Sequence, residues 1–585
     1  MPSNSSDRVD CAHAEACAGC PLIGQSLPDQ LATKRRRVLD AWGRFPLLDP
    51  GLVQEVTPAQ PIAGYRARAK LVVSGTSIGL FAAGSHTVAD IPECRVLQPA
   101  LISVLNELRA RLPLPLPLLA VDLRATREGV LLGLVVETGT ANETVEATAA
   151  RLTRDIPGVA GVAVSHRERA APMVLGRQLR VLSGPLRVRS DESPYVYAAH
   201  GTFAQAHAAQ AANIRRHVRE ALGPNLREQS ILELYAGSGA LSLELAAQGA
   251  RVTAVEADPR AVGFLRAAAE EQGLAVTALA EDAARAATRL AEGRERFAGA
   301  VLNPPRTGAS PEVRRAVAEL APELIAYVSC SPESLARDLA HLALLGYAAE
   351  RVIPFDLMPQ SAEVETLSQL RRSARPAARV LFEDADLIAV EKAPHEPTTP
   401  QGEHEASLLE RVRALPGAAE AVPVHRLDLG TSGVCLFART PGSVGGLATA
   451  LAHGQKEYTA LARGITRPKG TVRRRVPDGG RLRDACTRYK RRAVVGGHSL
   501  LSVFPEQGKK HQIRRHLASL GHPVLGDERY GHAASNQHFF ARHQLDRTFL
   551  HLRAVELELG GVHKRIEVAL PGDLEYVLQS LSGGS

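Results

Sequence analysis

Hydrophobic and polar positions are arranged in three different ways along the chain, and the changes of pattern mark its organisation. From Cys11 to about Pro50 a cysteine-rich loop runs into "LPDQLATKRRRVLDAWGRF", whose spacing predicts a helix. From about Gly64 to Leu186, short apolar runs such as "KLVVSG", "GVLLGLVVET" and "GVAVSH" predict strands. After Phe203 a helical stretch, "FAQAHAAQAANIRRHVREAL", leads to apolar strands, "SILELYAG", "RVTAVEAD", "GAVLNPP" and "LIAYVSC", separated by Ala-rich helical segments. That alternation predicts a parallel, doubly wound sheet. Polar "RRSARPAARV" interrupts it, and a mixture of strands and helices resumes at "VLFEDADLIAVEKAP". The expected fold class is therefore α/β and α+β multidomain. Its parts are a Cys-rich segment with a helix at 1–60, a β-rich region at 61–190, a doubly wound domain at 191–370, a linker at 371–379 and a mixed αβ domain at 380–585.

A length of 585 residues exceeds what one hydrophobic core usually organises, in keeping with several domains. The net charge of +8 favours a polyanionic partner, with basic clusters at 34–37, 473–475 and 489–492, although solvated charge alone would explain each cluster. No apolar run reaches the length of a membrane span, and "MPSNSSDRVDCAHAE" lacks the order of a signal peptide, so a cytoplasmic location without membrane partners is expected. Seven cysteines are too few and too unevenly spread for a secreted disulfide scaffold of this size.

Gly237 and Gly239 stand between a predicted strand and a helix, where backbone can approach a ligand without Cβ obstruction. Glu256, at the end of the next strand, is a carboxylate suited to ribose hydroxyls, which fits a nicotinamide nucleotide as well as a methyl donor. Asn303, followed by two prolines, and Cys330 lie at further strand ends, where open α/β sheets bind ligands. A cysteine there could be a small buried apolar residue. It could also be a nucleophile: a thiolate adding to C6 of uracil makes C5 electron-rich enough to take a methyl group. The C5 proton must then leave. Glu365 is the candidate base, an exposed surface glutamate being the other reading.

Residues 11–370 resemble the RNA uracil-5-methyltransferases, with the Cys cluster, glutamine segment, S-adenosylmethionine loop, NPPR, SCxP and terminal glutamate motifs in order. The resemblance implies a Rossmann-like domain in which Cys330 is the nucleophile and Glu365 the base. It also implies that Gln205, Tyr235, Gly237, Gly239, Glu256, Asp282 and Asn303 line the S-adenosylmethionine site. The chain departs from the family at Glu233, where Asp is frequent, at Gln360 and Glu363, where His is, and at His207, where Asn is. Cys11, Cys17, Cys20 and distant Cys94 would suit tetrahedral zinc or an iron–sulfur cluster equally on chemical grounds. Their resemblance to the ligands of [4Fe-4S] methyltransferases favours the cluster, in a structural role. Cys435 and Cys486 are expected to serve packing.

Near the C-terminal end, "HRLDLGTSG" holds Asp428, by local sequence a turn or capping residue. With Tyr458 of "QKEYTALARG" and Arg514 of "GKKHQIRRHLASLGHPVLGDERYG" it resembles the RluA-type pseudouridine synthases over 380–580, departing where "GKKH" replaces the more frequent Arg-Thr. Such enzymes need no cofactor. The resemblance implies that Asp428 is the catalytic carboxylate, as nucleophile or as base of an elimination. Arg514 would hold it ionised, and Tyr458 would pack on the base and could shuttle a proton. Methylation occupies C5 and pseudouridine bonds ribose through C5, so the two products require two uridines. Covalent linkage helps when both lie on one RNA. A start directly at the cysteine motif resembles the RlmC (RumB) branch, which points to neighbouring uridines of 23S rRNA, with tRNA as the alternative and no obligate protein partner. Two other functions compete. An amine methyltransferase would prefer an aromatic residue at Arg306 and would not need Cys330, and a non-catalytic RNA-binding assembly factor would not retain every proposed catalytic residue.

Overall fold

The computed structural model describes residues 7–168, 179–203, 205–400 and 406–582. Three large sheets follow one another along the chain. The first has seven strands in the order Val88–Asp90, Ser77–Phe81, Arg68–Ser74, Leu118–Thr126, Gly129–Glu137, Val159–Arg167 and Leu179–Ser183. Its one parallel pair, Gly129–Glu137 with Val159–Arg167, is joined through helix Asn142–Asp155. That helix and Pro99–Arg109 bury Val145, Ala149, Leu152, Leu101, Leu105 and Leu108 on the sheet.

The second sheet runs Val276–Ala280, Arg251–Glu256, Ser230–Leu234, Gly299–Leu302, Leu324–Ser329, Glu365–Arg372 and Tyr347–Phe355. The first five are parallel, and Glu365–Arg372 is inserted antiparallel to both its neighbours. Apolar cores cover both faces, so these strands read as nearly continuous hydrophobic runs. Helix Leu27–Trp42, capped by Ser26, belongs here: Val38, Ala41 and Trp42 are buried with Leu335 and Leu339 of helix Pro332–Leu344. This corrects the reading of cluster 34–37 as a free basic surface. Lys34 is buried in an ion pair with Asp356, and Arg37 grips Glu333 at 3.0 and 3.2 Å. Removing one partner of such a buried pair costs roughly 3–5 kcal/mol.

The third sheet has ten strands, with the main path Val380–Glu383, Leu387–Lys392, Ser432–Ala438, Leu550–Leu559, Gln455–Ala462, His498–Pro505, Cys486–Val495 and Lys469–Arg473. Only its central Ser432–Ala438 and Leu550–Leu559 pair is parallel among those on the path. Cys435 and Cys486 are both buried. No helix among the described residues is long and apolar enough to cross a membrane.

Candidate active sites

In the second sheet the chain moves outward in opposite directions from Ser230–Leu234 and Gly299–Leu302, which nevertheless pair side by side. A crevice at such a switch point is where open α/β sheets take ligands. The loop after Ser230–Leu234 is left-handed at Tyr235 (φ 65°), Gly237 (57°) and Gly239 (82°). A Cβ on Gly239 would lie 2.1 Å from Leu265 Cδ1 of helix Pro259–Glu271, so close packing of that helix on the loop adds to the left-handed φ in favouring glycine there, whereas a Cβ on Gly237 would meet only open space. Glu256 braces this loop by accepting from Gly237 N at 3.0 Å and Asp258 N at 2.9 Å. A carboxylate so used retains lone pairs for ribose hydroxyls. Asp282, at the next strand end, caps helix Ala283–Glu292 through Oδ1. Asn303 follows Gly299–Leu302, and its N–H donates to Leu234 O. Burial, then the charges of Asp338 and Asp282, push the Tyr235 phenol well up. Half-buried Gln205 lies just ahead of His207. These acceptor carboxylates, with the open approach at Gly237, fit a nucleoside-containing methyl donor.

Cys330 immediately follows Leu324–Ser329, whose last pair in the antiparallel ladder is Ser329 with Thr366. One step further along that register stand Cys330 and Glu365. The ladder brings the predicted nucleophile and base together. Glu365 is buried, contrary to the surface reading, and burial pushes its carboxyl up to about 7, opposed by Arg306 and reinforced by Glu363. Burial also raises the Cys330 thiol to about 11, the Glu365 charge adding to the rise and Arg306 opposing it. Arg306 pairs with Glu363 at 3.1 Å, and Arg37 reaches Glu363 at 3.5 Å.

The family departures have structural uses. His207 caps helix Ala208–Ala221, accepting from Gln210 N at 3.2 Å, and stacks on Tyr65. Gln360 bonds Gln30 and Ile62 O in the buried interior. Glu233 sits buried below the loop, hydrogen-bonded by Ser242, with its carboxyl raised to about 7 by burial.

Cys11, Cys17, Cys20 and Cys94 line one small cavity with His13. Burial, then the charges of Cys94, Cys17 and Cys11, push the Cys20 thiol up to about 12. The four thiols share this space, yet among the described residues no group of three or more His, Cys, Asp or Glu side chains is set to hold a metal ion.

In the third sheet, Asp428 lies in the loop before Ser432–Ala438 and accepts from Arg514 Nη1 at 3.1 Å. Arg514, on helix Gln512–Ser519, is gripped from behind by buried Asp527 through two 2.7 Å bonds. Burial would lower the guanidinium, but Asp527 and then Asp428 hold it above its usual value, fully charged. His511 Nε2 is 3.6 Å from Asp428, and its Nδ1 meets Tyr530 Oη at 3.0 Å. Tyr458 borders the same site: burial and then the Asp428 charge raise its phenol. From below, buried Lys392 donates to Leu429 O at 3.3 Å and Thr431 O at 2.7 Å, pinning the loop. Asp527 and Lys392 were missed in the sequence. Asp527 stands in the quoted "GDERYG" but reads there as a turn aspartate, and nothing local marks Lys392 as buried.

Comparison with known proteins agrees with both halves. The family "RNA pseudouridylate synthase" matches residues 386–519, and "Conserved hypothetical protein 95" matches 209–345. An uncharacterized RNA methyltransferase of Thermosynechococcus vestitus is 30% identical over 394 residues, 64% of this chain and 86% of that protein. The 23S rRNA (uracil(1939)-C(5))-methyltransferase RlmD of Chromohalobacter salexigens is 32% identical over 385 residues, 62% of this chain and 76% of its own. The fold is shared with the Pyrococcus abyssi tRNA (uracil-54, C5)-methyltransferase solved with S-adenosyl-L-homocysteine, at TM-score 0.50 and 22% identity, over 61% of this chain and 86% of that one. The chain belongs to the RNA methyltransferase family that includes the RlmC- and RlmD-type enzymes, and carries fused to it an RNA pseudouridylate synthase domain.

Proposed function

We propose that this protein makes 5-methyluridine at one uridine and pseudouridine at another, neighbouring uridine of 23S rRNA. The observation that carries the reading is the position of Cys330 and Glu365, each one residue beyond the Ser329–Thr366 pair that ends the ladder, in one chain with the Asp428–Arg514–Asp527 array. Cys330 loses its proton to solvent and the thiolate bonds C6 of uracil, the C5–C6 electron pair moving onto C5 and the adjacent carbonyl so that C5 becomes nucleophilic. S-adenosylmethionine supplies the methyl group for C5. Glu365 then takes the C5 proton, the electron pair reforms the C5–C6 double bond, and the Cys330–C6 bond breaks. Glu256, Asp282 and Asn303 would hold the donor. In the other half Asp428, oriented by the hydrogen bond from Arg514, acts on the second uridine's ribose as nucleophile or base while Tyr458 packs on the base.

The pH dependence tests the first pair. Cys330 must be ionised to attack and Glu365 must be deprotonated to take the C5 proton after methyl transfer, so the two steps are followed separately in a single turnover. Adduct formation should rise with pH, with a slope of about one in its logarithm, toward the Cys330 titration near 11, whereas adduct breakdown should rise and then level off with an inflection near pH 7, where Glu365 titrates. Glu365→Gln should block breakdown, ending turnover and leaving a denaturation-resistant protein–RNA adduct. A wild-type breakdown profile without inflection, and turnover by Glu365→Gln without adduct, would remove Glu365 from the base role.

The donor chemistry of four thiols lining one cavity, although they are not drawn together here, supports a [4Fe-4S] cluster that Cys11, Cys17, Cys20 and Cys94 would hold, tying the N-terminal loop to the first sheet. Anaerobically purified protein should contain about four irons, and Cys94→Ala should lose most of them. Stoichiometric zinc instead would overturn the cluster. The substrate is tested by site-resolved mass spectrometry of 23S rRNA and tRNA after incubation with the protein. Both marks on the rRNA support the reading, and marks on tRNA alone overturn the substrate but not the chemistry.

A further inference from the structure

Between the second and third sheets lies a buried cluster of charges. Asp546, of the synthase half, accepts from Arg314 at 2.7 Å and lies 3.4 Å from Arg337 Nε, both of the methyltransferase half. The same two arginines flank Asp338, Arg337 with bonds of 2.9 and 2.7 Å and Arg314 at 3.1 Å. All four side chains are almost wholly buried. Burial alone would protonate Asp546, but Arg337, then His395 and Arg314, hold its carboxyl well below the usual range. Buried ion networks are weak sources of stability compared with apolar packing, so what this one can fix is geometry.

The geometry it fixes is that of three catalytic loops. Asp338 accepts from Ala309 N at 2.7 Å and Tyr327 Oη at 2.5 Å, and Arg337 donates to Thr307 O, anchoring the loop that carries Asn303 and Arg306. Arg337 also donates to Gln544 O at 3.0 Å, and Gln544 Nε2 reaches across to Ser331 Oγ at 3.0 Å. Ser331 is the residue after Cys330. Its hydroxyl accepts from Gln544 and Ser334 N and donates to Glu333, so all its hydrogen-bonding capacity is engaged. On the synthase side His395 Nε2 meets Asp546 Oδ1 at 3.2 Å, and His395 N donates to Leu429 O, the residue after Asp428. Gln544 (φ 55°) and His395 (φ 59°), which carry these contacts to the two loops, both hold left-handed backbone that favours glycine.

We propose that Gln544 and Asp546, although in the synthase half, are positioning residues of the methyltransferase site, and that Asp546 through His395 ties the loop of Asp428 to the same frame. The proposal rests on Cys330 and Asp428 being the reacting groups. Neither half then has its full rate without the other, which gives the fusion a physical role beyond shared RNA binding.

The test uses the full-length chain and measures kcat and KM for both products on one RNA, with thermal unfolding to report the folded fraction. Gln544→Ala removes the contact to Ser331 and should lower kcat for methylation at least fivefold, with KM and pseudouridylation within twofold of wild type. His395→Asn tolerates left-handed backbone but falls short of Asp546, and should lower kcat for pseudouridylation at least threefold while sparing methylation. Asp546→Asn should lower both. Should Asp546→Asn fail to fold, the other two variants still decide. Both rates unchanged in all variants, or both falling together in proportion to the folded fraction, would overturn the proposal. Cys330→Ala and Asp428→Asn are assayed alongside. If they keep their products the assignment of the reacting groups fails, whereas if they lose them and the linking variants are silent, only the frame fails.

Discussion

Cys330→Ala abolishes 5-methyluridine, by at least roughly 10³-fold or about 4 kcal/mol of barrier, and leaves pseudouridine in place. Alanine offers no electron pair to C6, and without that bond the uracil ring has no carbanion-like C5 to receive a methyl group. Cys330 is only half-buried and its neighbour Ser331 keeps its own bonds, so the change should cost no more than about 1 kcal/mol of stability. S-adenosylmethionine binding should persist as well, because Glu256, Asp282 and Asn303 stand at other strand ends. The measurement is site-resolved mass spectrometry of both modifications on one RNA fragment. Equal loss of both products from a folded variant would show that the two sites are not chemically separate, and methylation surviving at normal rate would strike Cys330 from the mechanism.

What the sequence disclosed follows from how far each signal reaches. "SILELYAG", "RVTAVEAD" and "LIAYVSC" carry their strand character locally, and the strands Ser230–Leu234, Arg251–Glu256 and Leu324–Ser329 lie within them. The β-rich reading of the stretch after Gly64 omitted helices Pro99–Arg109 and Asn142–Asp155, whose apolar faces sit in the same sheet's core and blur into the strand pattern. Partners distant in sequence left no local trace. Lys34 looked like surface charge because Asp356, which neutralises it, lies 322 residues away. Arg314 and Asp546 are 232 residues apart. Motifs singled out Cys330, Asp428 and Arg514 as candidates, but motif order says nothing about what stands behind them. Asp527 behind Arg514 and Lys392 beneath the Asp428 loop needed coordinates.

Asp428→Asn ends pseudouridine formation, again by at least roughly 10³-fold, and spares methylation. An amide can neither attack the ribose as a carboxylate does nor accept its proton, whichever path the reaction takes. The substitution should otherwise be quiet. The amide oxygen of the replacement can still accept from Arg514, and Arg514 keeps its two bonds to Asp527, so the guanidinium is left neither unpaired nor displaced. With the Asp428 side chain 29% exposed, the stability change should stay within about 1 kcal/mol. RNA affinity and its salt dependence should hardly move, because Lys and Arg contacts to phosphates supply most of the binding free energy in such complexes, and exposed Arg473, Arg475 and Lys490 remain available for them. The same mass spectrometric assay, joined to binding titrations at two salt concentrations, separates the outcomes. Pseudouridine made by Asp428→Asn would break the catalytic assignment, whereas lost binding with intact folding would make Asp428 a docking residue and move the search for the reacting carboxylate elsewhere in the third sheet.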